Sequence, residues 1–267
     1  MASLKEVKGR IASVNNTRKI TSAMKMVASA KLHKAQAAIE SMLPYERRLH
    51  HILTDFMSNC TEVTSPFIVK REVKKVAVVV FASNTSLCGG FNANVIRHLV
   101  DLLAEYKPLG LENILVFPVG KKVADAVRKL GFRIEGDFQH MADKPSYQEA
   151  ADLAADLMKR FLHGDVDKVE LLYNHFKSTA SQILTRETYL PIDLNNEKKE
   201  EERTIDYILE PSAEELMQEM LPKVLRMKMF TVLLDSNAAE HAARTMAMQI
   251  ATDNANELLQ ELTVMYN

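Results

Sequence analysis

The sequence predicts an α/β protein with helical ends. A long antiparallel two-helix coiled coil is formed by the N- and C-terminal helices, and a central Rossmann-like α/β domain with a mainly parallel sheet lies between them. Three observations predict this. Both chain ends repeat apolar residues every seven positions over long stretches poor in helix breakers. The middle alternates short β-branched runs with amphipathic stretches. Helices this long cannot stand on their own propensity, and each end is the only element long enough to cover the other.

Counted in sevens from Leu4, the first seam reads Leu4, Ile11, Arg18, Lys25, Leu32, Ile39, with Val7, Val14, Thr21, Ala28, Ala35 and Met42 between. Pro44 is the first breaker, where a kink is expected before the helix resumes to about Met57. At 1.5 Å per residue that helix is ~80 Å long. Arg18 and Lys25 sit awkwardly on the seam. The preferred reading lets the stripe drift on a 3.6-residue period to Ile20, Met24 and Val27. The cations then face outward, leaving Lys19, Lys25, Lys31 and Lys34 as an exposed basic face.

At the other end there is no glycine after Gly164 and no proline after Pro222, so Lys223 to Asn267 reads as one ~65 Å helix. Its seam runs Met220, Met227, Leu234, His241, Met248, Ala255, Leu262, alternating with Val224, Thr231, Ala238, Thr245, Thr252, Leu259 and Tyr266. Small residues in the middle let two helices approach closely. The strict period of seven predicts a left-handed supercoil. Residues 1–60 and 212–267 are assigned to this shaft.

The α/β domain is assigned to residues 73–192. KKVAVVVFAS (Lys74–Ser83) and NILVFPVG (Asn113–Gly120) read as buried strands. FRIEGDFQ is a third, short strand, and DKVELLYNHFKS and SQILTRETYLP are two more. Helices are expected from about Asn92, over KKVADAVRKLG closing at Gly131, and over Ser146–Gly164. Residues 193–211, which include NNEKKEEER, read as a charged linker.

Charge is divided unevenly. Residues 1–50 carry ten Lys and Arg against three Glu, although the chain as a whole has a net charge of −1. A basic arm on an acidic body calls for an acidic partner: nucleic acid, anionic lipid or acidic protein loops. Cys60 and Cys88 make neither a disulfide framework nor a metal spacing, which favours a reducing compartment. Neither a signal peptide nor a run of ~20 apolar residues is present.

Candidate sites are few. Leu87-Cys88-Gly89-Gly90-Phe91-Asn92 lies between a strand and a helix, where backbone amides cradle anions. It lacks the Lys-Ser/Thr of a phosphate loop and the third glycine of a dinucleotide fingerprint, so Gly89 and Gly90 are read as a structural turn. Cys88 is read as a packed small residue rather than a nucleophile. His241 is read as a core histidine satisfied across the seam rather than a metal or proton site. The methionines, Met24, Met26, Met227, Met229, Met246 and Met248 among them, suit either an irregular seam or an adaptable sliding surface. No catalytic constellation, cofactor site or metal cluster can be assembled.

KGRIASVNNTRKITSAMKMVASAKLHKAQ, the SLCGGFN turn, YNHFKS, the strand ending TYLP, and NAAEHAARTMAMQIATDNANELLQELTVMYN together resemble the gamma subunit of F-type ATP synthase. The resemblance covers both ends and the order of everything between. It implies a central rotor shaft that couples c-ring rotation to conformational changes at the catalytic sites of the beta subunits. The chain itself then has no catalytic, cofactor or metal site. The implied partners are the alpha and beta subunits, the epsilon subunit and the c-ring, with no nucleic acid and one copy per complex. Lys19, Met24, Lys25 and Lys31, with Arg244 opposite, are the implied contacts to the catch loops of beta. Asn84-Thr85-Ser86 stands where the family usually has Asp-Arg-Gly. The family usually continues about two dozen residues past the Tyr266-Asn267 pair, and the MASL start points to a bacterial complex. Its place would be peripheral, on the cytoplasmic face of the inner membrane. The alternative reading is a basic coiled-coil nucleic-acid-binding regulator with a ligand-sensing α/β domain. A nucleotide-using enzyme built on Gly89-Gly90 is the third.

Overall fold

The structure, a computed structural model, describes residues 4–59, 65–192 and 213–267. The N-terminal helix α1 spans Leu4–Asn59 and the C-terminal helix, α6, spans Ala213–Tyr266. They pair antiparallel: Arg18 Nη1 donates to Asn256 Oδ1 at 3.3 Å, and the Thr21 and Thr252 hydroxyls meet at 2.8 Å. Further along, Leu32 and Ala35 pack on Ala238 and Ala242.

The drift expected along α1 does not occur. Thr21, Ala28, Leu32 and Ala35 are buried and Arg18 and Lys25 are half-buried, so the seven-residue seam runs on through the cations. Ile20 and Val27, which the drifting stripe would bury, are 60% and 59% exposed. The reason is reach. A long cationic side chain lays its stem along the seam and carries its charge to the edge, as Arg18 does toward Asn256.

Helix α6 also begins earlier than Lys223, running through Pro222 from Ala213. Proline removes one amide from the helical ladder. Around it, Met217, Leu221, Leu225 and Met229 are buried against the sheet, and that packing carries the helix past the proline. Helix α1 likewise includes Pro44. The linker assigned to 193–211, and Cys60, lie outside the described residues.

Between the helices lie β1 (Val76–Phe81), α2 (Phe91–Tyr106), β2 (Ile114–Val119), α3 (Lys121–Leu130), β3 (Arg133–Ile134), α4 (Gln139–Asp143), α5 (Tyr147–His163), β4 (Lys168–Ser178) and β5 (Ser181–Leu190). The sheet order is β3-β2-β1-β4-β5, parallel except for the antiparallel β4–β5 pair. Strand β1 is buried on both faces, hence its unbroken VAVVVF. Val76, Val78 and Val80 face α2 and α3, while Ala77, Val79 and Phe81 face α5 and α6. The C-terminal helix is thus both half of the coil and one layer of the domain.

Candidate functional site

In open parallel sheets, ligands bind beyond the carboxyl ends of the strands where strand order reverses. Here that point lies between β1 and β4, and α6 occupies it. Only about 10 Å³ remains among Phe81, Ala82, Val119, Ala142, Leu233, Ser236, Asn237 and Glu240, room for about one water.

The adjacent Gly89-Gly90 loop is filled from within. Asn92 Oδ1 accepts the Ser83 amide at 3.0 Å, and its Nδ2 donates to Thr85 O and Cys88 Sγ, both at 3.2 Å. Cys88 is buried and takes the packing role expected of it. Gly89 adopts φ +59, and a Cβ there would lie 3.9 Å from that of Ala247, so the loop rests directly on α6. Leu87 is also left-handed, at φ +67, and its side chain is largely exposed.

Where this loop meets the coil, a groove of about 290 Å³ opens. Its apolar wall is Ala23, Met24, Val27 and Ala28 on α1; Lys31, Thr85, Asp143, Glu240, His241 and Arg244 supply the rest. The structure therefore brings Met24, Lys31 and Arg244 to one place. Lys19 and Lys31 are exposed and Lys25 is half-buried.

Arg244 differs from the others. It is 8% exposed and already engaged: it donates to Ser86 O, to Thr85 Oγ1 at 2.9 Å and to Glu240 Oε1 at 2.6 Å. Thr85 and Ser86 belong to the Asn84-Thr85-Ser86 departure, so that stretch holds the loop to the shaft. Burial drives the Glu240 carboxyl above its ordinary range, more than Arg244 draws it down.

His241 is 7% exposed. Burial, then the positive charges of Lys31 and Arg244, push its pKa down to about 4, and Asp143 offsets this only in part. The expectation of a histidine satisfied across the seam is corrected in one respect, because its Nδ1 has no hydrogen-bond partner among the described residues. No group of His, Cys, Asp and Glu that could hold a metal occurs among the described residues.

A second buried network sits on the opposite face of the sheet. Glu170 accepts from Lys168 at 2.6 Å, Tyr106 at 2.8 Å and Arg186 at 2.9 Å. Sequence reasoning missed it and the Arg244 contacts alike.

Fold and interface define a class: a shaft protein, in which a paired-helix rod rises from an α/β base and a basic, grooved surface lies where the two meet. The sequence model of the ATP synthase family matches residues 3–267. An ATP synthase gamma chain of Phocaeicola vulgatus is 81% identical over 269 residues, covering 100% of this chain and 93% of that protein. One from Bacteroides thetaiotaomicron is 61% identical over 278 residues, with the same coverage. The chain belongs to the ATP synthase gamma chain family. Among solved structures, the rotor of Euglena gracilis mitochondrial ATP synthase matches with a TM-score of 0.63 at 18% identity, covering 99% of this chain and 96% of that one. The central stalk of the Tetrahymena thermophila mitochondrial enzyme matches at 0.61 and 22%, covering 87% and 99%. These matches show the fold. The nucleic-acid-binding alternative gains no support from any of them.

Proposed function

We propose that this chain is the central rotor shaft of a proton-translocating F-type ATP synthase, coupling rotation of a c-ring to conformational changes at beta-subunit catalytic sites. It contributes no catalytic group of its own. The observation that carries this reading is the paired-helix rod: beyond Arg244, α6 continues about 22 residues, ~33 Å, touching the Gly89 loop at Ala247 and then running beside α1. Such a rod suits insertion into a ring of alternating alpha and beta subunits, while the α/β domain faces epsilon and the c-ring. No described helix is long and apolar enough to cross a membrane. In this reading the chain sits at the membrane peripherally, through its complex, on the cytoplasmic face of a bacterial inner membrane, one copy per complex.

Lys19, Met24, Lys25 and Lys31 are assigned as contacts to the acidic catch loops of beta. The exposure of Lys19 and Lys31 suits contacts that must be made and broken, since screened surface charge pairs are individually weak. Arg244 serves that surface indirectly, because it is buried and three of its hydrogen bonds go to the loop and Glu240. Reconstitution with alpha and beta subunits tests the reading. The expected result is co-assembly and stimulated ATP hydrolysis, with none from the chain alone. Hydrolysis by the isolated chain, or failure to stimulate, overturns it.

A further inference from the structure

Over residues 235–247 the C-terminal helix changes the way it is held. Below, it is buried in the sheet core through Met217, Leu221, Leu225 and Met229. Here its buried positions are mostly small: Ala238, Ala239, Ala242 and Ala243. Alanine contacts are close but smooth. Apolar attraction is non-directional, and methyl groups interdigitate too little to stop a helix rolling about its axis.

Three side chains of this stretch reach backbone atoms of the α/β domain. Asp235 Oδ1 accepts the Phe176 amide of β4 at 2.8 Å, while its Oδ2 lies 2.6 Å from His175 Nδ1. Asn237 Nδ2 donates to Ala142 O of α4 at 2.9 Å. Arg244 donates to Ser86 O in the loop before α2. These anchors are themselves fixed. Phe176 lies within the β4–β5 ladder, α4 is tied down by Asn84 Nδ2 to Gln139 O at 2.8 Å, and the loop is held by Asn92.

Their placement around the helix is the telling feature. At 3.6 residues per turn, Asn237 and Arg244 project within about 20° of each other, and Asp235 about 180° from Arg244. The side facing α1, marked by Ala238 and Ala242, lies between these flanks. The side facing the domain, marked by Ala239 and Ala243 against Cys88 and Phe91, lies about 100° further round, beyond Asp235. The domain therefore grips α6 from both sides. A roll of about 10° at a radius of ~6 Å moves a side-chain tip by ~1 Å. That carries a 2.8 Å hydrogen bond beyond useful range on one flank whichever way the helix turns.

We infer that Asp235, Asn237 and Arg244 form a two-sided clasp that locks the α/β domain to the shaft against torsion, so that the freely twisting rod begins above Arg244. These are positioning residues for torque transfer, and the inference rests on the rotor reading. Without the clasp the free rod begins near Leu233, about 33 residues from the end of α6 instead of about 22. Torsional compliance grows in proportion to length, so it rises about 1.5-fold.

The test uses the assembled complex with a bead attached through Lys107→Cys, an exposed position in the domain. The angular spread of the bead is measured during pauses in ATP-driven rotation, together with protons pumped per ATP in vesicles. In the triple variant Asp235→Leu, Asn237→Leu, Arg244→Met the angular variance is expected to rise about 1.5-fold and pumping per ATP under load to fall. Arg244→Lys alone gives a smaller rise. Val95→Ala, on the far face of the sheet, lowers the melting temperature without changing the variance. A bead that does not turn on the unaltered complex refutes the rotor reading. A turning bead whose variance is the same in the triple variant refutes the clasp, as does an equal rise in Val95→Ala. If the triple variant does not assemble, the Arg244→Lys variance decides in the same way.

Discussion

His241 is the residue whose chemistry departs furthest from its surroundings. Folding holds the imidazole neutral, with its pKa pushed down to about 4 against an ordinary value of 6.5. A depressed histidine favours the folded state fully above the unfolded pKa, and that contribution is lost as pH falls from about 6.5 toward 4. Over that window the loss is on the order of 2–3 kcal/mol. His241→Gln is therefore expected to melt less steeply with acidification, measured as thermal midpoints at pH 7, 5.5 and 4.5; an unchanged slope refutes this assignment. Glu170 acts with the same sign in a more acidic range. Burial raises its carboxyl, but hydrogen bonds from Arg186, Lys168 and Tyr106 outweigh that and bring it below 4.5. Its stabilisation is present above that pH and lost as pH falls through the depressed value. Glu170→Gln should cost about 2–3 kcal/mol at pH 7 by denaturant unfolding, a gap that narrows as pH falls through the depressed carboxyl value. The sequence placed His241 on the seam but did not show its missing partner, and it did not single out Glu170 at all. Tyr106 and Arg186 stand far from Glu170 along the chain, and only the folded sheet brings them together.

At the scale of elements the sequence was far more legible. Apart from the short helix α4, the elements of the middle domain are carried by local signals: β-branched runs for β1 and β2, Gly131 and Gly164 closing α3 and α5 in left-handed conformations. The seam was legible as well, and reading it by hydropathy alone was what misplaced it. Arg18 and Lys25 look wrong for a buried stripe, but half-burial suits long side chains at a rod's edge. The register follows from the small residues, which permit the close approach that Thr21 and Thr252 use. Ala238, fully buried opposite Leu32 and Ala35, measures that closeness. Ala238→Leu should cost about 1–3 kcal/mol through overpacking and lower the melting temperature, whereas Ala30→Leu, at an exposed position of α1, should be close to neutral. Equal behaviour of the two variants would contradict the tight seam.

For the whole molecule, the division of charge decides how the shaft meets its partners. The net charge of −1 conceals it, because the basic surplus is confined to the first fifty residues. Lys19 and Lys31 are exposed and make no ion pair among the described residues, so their charges remain available, while Lys31 also acts through space on Glu240 and His241. Fields of this kind act mainly on the approach of an oppositely charged surface, over about a Debye length of ~8 Å at physiological ionic strength. Reversing both, as Lys19→Glu with Lys31→Glu, is expected to leave the melting temperature of the chain unchanged. Association with the alpha–beta ring should slow by roughly tenfold at low salt. Raising ionic strength toward ~1 M, where the Debye length shrinks to ~3 Å, should erase most of the difference. A salt-independent defect would instead mean that the two lysines act by fitting the groove beside Met24 rather than by charge. The same measurement on Arg244→Met separates the roles: its guanidinium is buried and paired, so its loss should alter stability and coupling while leaving the salt dependence of association as it was.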